Sequence, residues 1–270
     1  MSNPIFNDQR MQRDASGWAT PVHGDQAGAP PVGDGPVSDW NKKVMTVNGT
    51  ISATLVLLIL LLVSASFGWS QASGPAGPEG EETYQMPALA IVGIIVGFGA
   101  VILATFKPAL AKFLGPVYSI GYGFAVGAIS KMYESFQDGI VVQAIGATLS
   151  VFIVMLVLYR TRIIKVTDKF RRGVIFATIG IMVLYGVSFL MSFFGASISF
   201  INSPSLFGIG FSVVVCGIAA MNLALDFDRI ERGVNAQMPK DYEWVSALGL
   251  LVTLVWLYLE MLRLLSKLRN

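Results

Sequence analysis

Residues 47–69, VNGTISATLVLLILLLVSASFGW, decide the fold of this chain. The stretch contains no Asp, Glu, Lys or Arg, and a bilayer core needs about 20 mostly apolar residues per helix. It is therefore long enough and apolar enough to cross a membrane as one helix, and six similar stretches follow it. The predicted spans are residues 47–69, 86–106, 113–130, 139–159, 173–194, 205–227 and 244–265.

The composition of the whole chain agrees with this class. Of its 270 residues, 54% are hydrophobic and 13% are charged, whereas an ordinary soluble domain has about 25% charged residues. The sequence therefore predicts an all-α polytopic membrane protein whose main partner is the lipid bilayer. The net charge of +2 leaves no basic surface for nucleic acid.

The first 45 residues differ from the rest because they are rich in Gly, Pro, Asp and Gln. Such a segment cannot bury enough apolar surface to offset the entropy of ordering it. The sequence predicts a disordered tail over residues 1–45 and a seven-helix domain over residues 46–268. Pro108 and Pro116 flank the start of the third span, so an alternative with six spans and a re-entrant segment stays open.

Basic residues orient the spans, because loops on the cytoplasmic side carry an excess of Lys and Arg. Residues 42–43, 107–112, 160–172 and 229–240 carry the basic clusters. Residues 70–85 contain only acidic charges, so alternation predicts a cytoplasmic N-terminus. Arg263, Lys267 and Arg269 would then lie on the other side, which favours a re-entrant last segment.

Few ionisable residues lie within the spans, where each costs about 2.5–3.5 kcal/mol on insertion scales. Asp226 and Asp228 end the sixth span. Residues two apart on a helix point about 200° from each other, so only one of these carboxylates faces the bundle interior. Asp228 shares a face with Glu231 and Arg232, which predicts an ion pair at the membrane interface.

Asp226 is predicted to be the inward carboxylate because a stripe of small or polar residues precedes it at helical spacing. The stripe consists of Asn222, Ala219, Cys216, Ser212 and Gly208. The seventh span carries a matching stripe of Ser246, Gly249, Thr253, Trp256 and Glu260. Small residues let membrane helices approach closely, so a simple packing seam remains an alternative to an ion path.

Two further patterns predict local contacts. Glu260 has Arg263 one turn away, which explains the glutamate as a member of an ion pair. Gly93 with Gly97, and Gly123 with Gly127, form GxxxG patterns that predict helix contacts.

Enzymatic functions lack the residues they need. The single histidine, His23, lies in the tail, so no histidine base is available to a membrane serine. Asp226 and Glu260 are expected at opposite ends of the bilayer, with Glu260 about 24 Å along its span, too far to share a water. The sequence predicts no enzyme and indicates no cofactor and no metal centre.

The last 50 residues carry a resemblance to a known family. The run MNLALDFDRIE at residues 221–231 resembles the sixth-helix signature of the Bax inhibitor-1 family, and DYEW at 241–244 with residues 247–265 is similar to its seventh helix. Residues 118–130 and 139–144 resemble its helix-pair motif. The opening Ser2-Asn3-Pro4 and the long tail suggest a bacterial branch in the cell membrane.

The resemblance implies six helices around a central seventh, and a pH-sensitive calcium leak gated by two aspartates on the last helices. Other members restrain a membrane protease. Asp226 matches the first aspartate, Thr253 stands at the position of the second, and Tyr122 replaces a glutamate of an earlier helix.

The threonine changes the expected response to pH. Two carboxylates about 3 Å apart cannot both ionise, and Thr253 removes that repulsion. We expect a leak for calcium or another small cation that responds to pH more weakly, or at lower pH, than a two-aspartate member. The alternative is a non-conducting regulator that binds a membrane protease or another membrane partner through its basic loops or tail.

Overall fold

The computed structural model describes residues 44–72, 86–194 and 203–269. The seven long helices among them are α1 Val47–Gln71, α2 Ala88–Phe106, α3 Ala111–Phe136, α4 Ile140–Arg160, α5 Asp168–Phe193, α6 Leu206–Asn235 and α7 Asp241–Arg269, with a 3-10 turn at Pro108–Leu110 before α3. Seven candidate spans, one for each helix, are long enough and apolar enough to cross a membrane. The all-α polytopic class and its seven spans are confirmed.

Two predictions concern segments outside the described residues. These are the disorder of residues 1–43 and the acidic segment within 73–85. The last two residues of the predicted tail are described, and they pack on the helical domain. Val44 forms a bridge with Pro239, and Met45 is buried and donates its backbone N–H to Met238 O at 2.7 Å.

The helices extend beyond the apolar runs that predicted them. Thr167 caps α5 by accepting from Phe170 N at 3.2 Å, so α5 begins at Asp168 and includes basic residues that were expected in a loop. The sixth helix continues eight residues past the predicted end at Phe227 and stops at Asn235. Apolar runs mark the membrane core, while polar turns and caps fix where a helix ends.

Helix α7 lies in the centre of the domain. It packs against α1, α2, α3, α4 and α6, and the hydroxyl of Tyr185 on α5 donates to Glu260 at 3.1 Å. Leu251 and Leu257 are completely buried on two sides of it. The arrangement of six helices around the seventh, which the resemblance implied, is therefore present.

The re-entrant alternative for the last segment is wrong. Helix α7 is one continuous helix of 29 residues, about 43 Å long, and it runs from the Met238 turn to the α3–α4 turn. At its far end Arg269 donates to Asp138 O at 2.9 Å. The positive-inside argument failed here because Arg263 and Lys267 are engaged inside the protein rather than free in a loop.

Two predicted basic segments lie on the face of the domain where α1 begins. Arg162 reaches Glu231 at 2.5 Å, and Arg171 reaches Asp228 at 2.8 Å, so the segment after α4 meets the end of α6. The turn after α6 holds the start of α1 through Met45. We call this surface the basic face; its assignment to the cytoplasm remains a prediction.

The GxxxG glycines form helix contacts within the chain, as predicted. A methyl group on Gly93 would lie 2.2 Å from Gly121 O on α3, and one on Gly123 would lie 2.6 Å from Leu61 O on α1. The helix backbones approach each other so closely at these glycines that no side chain fits between them. These glycine faces are occupied by neighbouring helices of the same molecule.

Candidate ion-pathway site between α6 and α7

The two stripes predicted from the sequence face each other along antiparallel helices. At one end a methyl group on Gly249 would lie 3.9 Å from Asp226 Oδ1. At the other end Lys267 of α7 reaches Ser212 of α6 at 2.8 Å. The α6–α7 seam is the set of residues along this line: Gly208, Ser212, Cys216, Ala219, Asn222 and Asp226 on α6, and Ser246, Gly249, Thr253, Trp256, Glu260 and Lys267 on α7.

One oxygen of the Asp226 carboxylate lies in the seam without a hydrogen-bond partner among the described residues. This atom is Oδ2, and it is buried. Leaving a buried polar atom without a partner costs about 1–3 kcal/mol, and more when it is charged. Packing alone does not call for such an atom, so the seam holds an acceptor that is free to bind a donor or a cation.

Thr253 lies beside Asp226, where the sequence placed it. The Thr253 hydroxyl and the Arg229 guanidinium both interact with the Asp226 carboxyl. The Thr253 hydroxyl donates to Gly249 O at 3.1 Å, as hydroxyls in membrane helices often do. The same hydroxyl also lies within hydrogen-bonding reach of the Asp226 carboxyl, and its single proton is shared between these two acceptors.

Asn222 and Tyr122 are directed elsewhere. The Asn222 amide nitrogen donates to Thr178 Oγ1 on α5 at 2.8 Å and to Ile218 O at 2.9 Å, which turns its donors toward α5 and its own helix. Tyr122 stacks on Tyr118 with ring centroids 5.2 Å apart and packs against Gly97 of α2. Helical spacing correctly put Asn222 in line with Asp226, but it could not show which neighbour takes its hydrogen bonds.

Asp228 and Glu231 form a second network at the basic face. Asp228 pairs with Arg171 at 2.8 Å and with Arg232 at 2.5 Å, which confirms the predicted pair on α6. Glu231 accepts from the Tyr159 hydroxyl and pairs with Arg162. The carboxylate of Glu231 raises the pKa of the Arg162 guanidinium further above its ordinary value, so this arginine stays charged. The network ties α4, α5 and α6 together outside the seam.

Glu260 belongs to a buried polar cluster at the opposite end. It is 2% exposed, and Arg263 Nη1 donates to its two oxygens at 3.0 and 3.1 Å. Tyr185 of α5 donates to Glu260 and accepts from Arg263 at 2.6 Å. The predicted ion pair between Glu260 and Arg263 is confirmed, with a tyrosine that sequence spacing could not reveal.

The expected separation of Asp226 and Glu260 was too large. Asp226 lies beside Gly249 and Thr253, two to three turns into α7 rather than level with its start. Thr253 and Gly249 are seven and eleven residues from Glu260, so Asp226 and Glu260 are separated by about 10–16 Å along the helix axis. The error came from taking Asp226 as the end of its helix, although α6 continues to Asn235. The two carboxylates are still too far apart to share one water.

Sequence reasoning missed Glu243, which is 4% exposed at the start of α7. Its Oε1 accepts from Thr46 N and from Thr46 Oγ1, both at 2.9 Å. Thr46 in turn caps α1 by accepting from Gly49 N at 2.9 Å, so a carboxylate sits at the positive end of that helix. The only sequence signal is a capping threonine before an apolar run, which does not identify a partner 197 residues away.

The fold and the seam define a polytopic helical membrane protein with a charged central helix. A family model described as Bax inhibitor 1 like matches residues 3–270. The chain therefore belongs to the Bax inhibitor 1-like family, as residues 221–265 indicated. No curated protein matches the chain at a significant level of similarity.

Proposed function

We propose that this chain forms a leak for small cations, calcium among them, along the α6–α7 seam. In this proposal the protein transports an ion and catalyses no reaction. The single observation that supports it most is the buried Oδ2 of Asp226, which has no partner among the described residues. Calcium binds carboxylate, carbonyl and hydroxyl oxygens, and Asp226 and Thr253 provide a carboxylate and a hydroxyl at this level.

In this proposal the small residues of the seam line the route of the ion. A methyl group on Gly249 would lie 3.8 Å from Arg229 Nη1 and 3.9 Å from Asp226 Oδ1, so both charged groups face this space, and Thr253 contributes a hydroxyl oxygen. Protonation of Asp226 removes the negative charge that attracts a cation, so the leak depends on pH. Thr253 instead of a second carboxylate removes the repulsion between paired acids, which makes that dependence weaker than in a two-aspartate member.

Purified protein in calcium-loaded liposomes tests the proposal. We expect Asp226→Asn to lower calcium flux by about tenfold or more, which corresponds to about 1.4 kcal/mol. We also expect its flux to be independent of pH between about 5 and 8, because the amide of asparagine does not titrate there. Asp138→Asn is the matched control, because it replaces the same side chain in the same way at an exposed position in the α3–α4 turn. Wild-type flux and an unchanged pH profile in Asp226→Asn would exclude the seam carboxylate.

A second candidate function is suggested by the basic face. Five basic side chains of residues 160–172 are exposed there: Arg160, Arg162, Lys165, Lys169 and Arg172. Such a surface suits an acidic segment of a membrane protease or another membrane partner. A regulator of this kind is silent in liposomes, and its binding falls when residues 1–40 are removed or these side chains are neutralised. A leak is unaffected by either change.

A further inference from the structure

Lys267 is a buried cation near the end of α7. The residue is 5% exposed, and its ammonium donates to Gly208 O at 3.0 Å and to Ser212 Oγ at 2.8 Å. None of the carboxylates in the described residues forms an ion pair with it. A lysine within a membrane helix is costly, so its burial against two neutral oxygens needs an explanation.

The position of this lysine is the end of the seam that also contains Asp226. Lys267 follows Glu260 by seven residues, two helical turns, so both lie on the same side of α7. Asp226 lies in the half of the seam nearer the basic face, and Lys267 lies at the end of the other half. A cation that moves along the seam from Asp226 therefore meets the ammonium of Lys267 last.

The atoms around the ammonium are those that bind a hard cation. A backbone carbonyl and a serine hydroxyl are oxygen ligands suited to calcium and other small cations. Glu260 adds a negative charge two turns away, although Arg263 compensates it. The ammonium of Lys267 thus occupies oxygens that a mobile ion would otherwise bind.

We propose that Lys267 is a tethered cation that occupies an oxygen-lined cation site at the end of the α6–α7 seam and thereby restricts the leak. The proposal rests on the proposed leak for its consequence, and on the contacts of Lys267 for the site itself. If Lys267 only held α7 against α6, its substitution would lower the stability of the protein and would expose no cation site. The two roles therefore differ in their response to calcium.

Lys267→Met is the direct test in proteoliposomes. We expect calcium flux to rise by about tenfold, which corresponds to a barrier lower by about 1.4 kcal/mol at room temperature. Lys165→Met, an exposed lysine of the basic face, is the matched control and keeps the wild-type rate. Lys267→Gln is the second variant, because its amide still donates hydrogen bonds to this region while the charge is gone.

A flux-independent measurement reports the site on its own. We expect calcium to raise the midpoint of thermal unfolding of Lys267→Met or Lys267→Gln in detergent, but not that of the wild type. Adding Ser212→Ala removes one oxygen and should abolish the shift. A structural clamp predicts a lower midpoint with no response to calcium.

The outcomes separate the two proposals. Unchanged flux and no calcium-dependent shift in both Lys267 variants would overturn the tethered cation, while a wild-type flux that depends on Asp226 would still support the leak. A calcium-dependent shift without flux in any variant would support the site and contradict the leak. Higher flux with a calcium-dependent shift supports both.

Discussion

Arg263→Met is expected to lower the free energy of unfolding by about 3–5 kcal/mol, the cost of leaving one member of a buried ion pair without its partner. Glu260 is 2% exposed and takes both of its guanidinium bonds from Arg263. Tyr185 then remains its only other donor in the described part of the chain. The loss should appear in denaturant unfolding in detergent, followed by tryptophan fluorescence.

The matched controls isolate the uncompensated charge. Glu260→Gln in the Arg263→Met background removes that charge and should recover most of the lost stability. Arg232→Met breaks an ion pair at the basic face, where the arginine side chain is 48% exposed, and should cost about 1 kcal/mol or less. A stable Arg263→Met protein, or a double variant with no recovery, would contradict the account of this cluster.

Gly127→Ala is the second change with a large expected effect. A methyl group there would lie 1.9 Å from the backbone oxygen of Ala65, so α1 and α3 must move apart. Overpacking of this kind costs about 1–3 kcal/mol, and a backbone oxygen cannot rotate away as a side chain can. We expect the upper part of that range, measured as a lower midpoint of thermal unfolding.

Gly146→Ala provides the opposite expectation on α4. No atom lies within 4 Å of a methyl group built on Gly146, and alanine favours a helix over glycine by up to about 1 kcal/mol. This variant should be as stable as the wild type or more so. If both alanine variants behaved alike, close approach of α1 and α3 would not be the reason for Gly127.

The membrane architecture was predictable because each span is a long apolar run, which needs no knowledge of its neighbours. Asp226 was predictable for a similar reason: steps of three and four residues identify one helix face from local sequence alone. The same arithmetic placed Thr253 on the facing stripe. Helix ends were less accessible, since caps such as Thr167 act in polar sequence beyond the apolar run.

The partners of polar groups were not predictable from spacing. Lys267 was assigned to a surface tail because lysines near the end of a span usually lie in the polar segment that follows it. Its hydrogen-bond acceptors are Ser212 Oγ and Gly208 O, which are 55 and 59 residues away in sequence. Glu243 and Tyr185 were missed for the same reason. A contact between distant segments depends on how the helices are arranged, and local sequence carries no signal of that arrangement.

The central claim is that the α6–α7 seam is the ion path, and Cys216 offers the most direct test. It is the only cysteine of the chain, it is 5% exposed, and it lies near enough to Glu260, Arg263 and Lys267 to interact with their charges. A small cationic methanethiosulfonate reagent that forms a disulfide with Cys216 would add a positive charge inside the seam. Calcium flux through reconstituted protein is then measured against the fraction modified, with Cys216→Ala as the unreactive control.

The account predicts that flux falls in proportion to modification of Cys216, that the Cys216→Ala protein is insensitive to the reagent, and that Lys267→Met is modified faster than the wild type. Complete modification with unchanged calcium flux would contradict it.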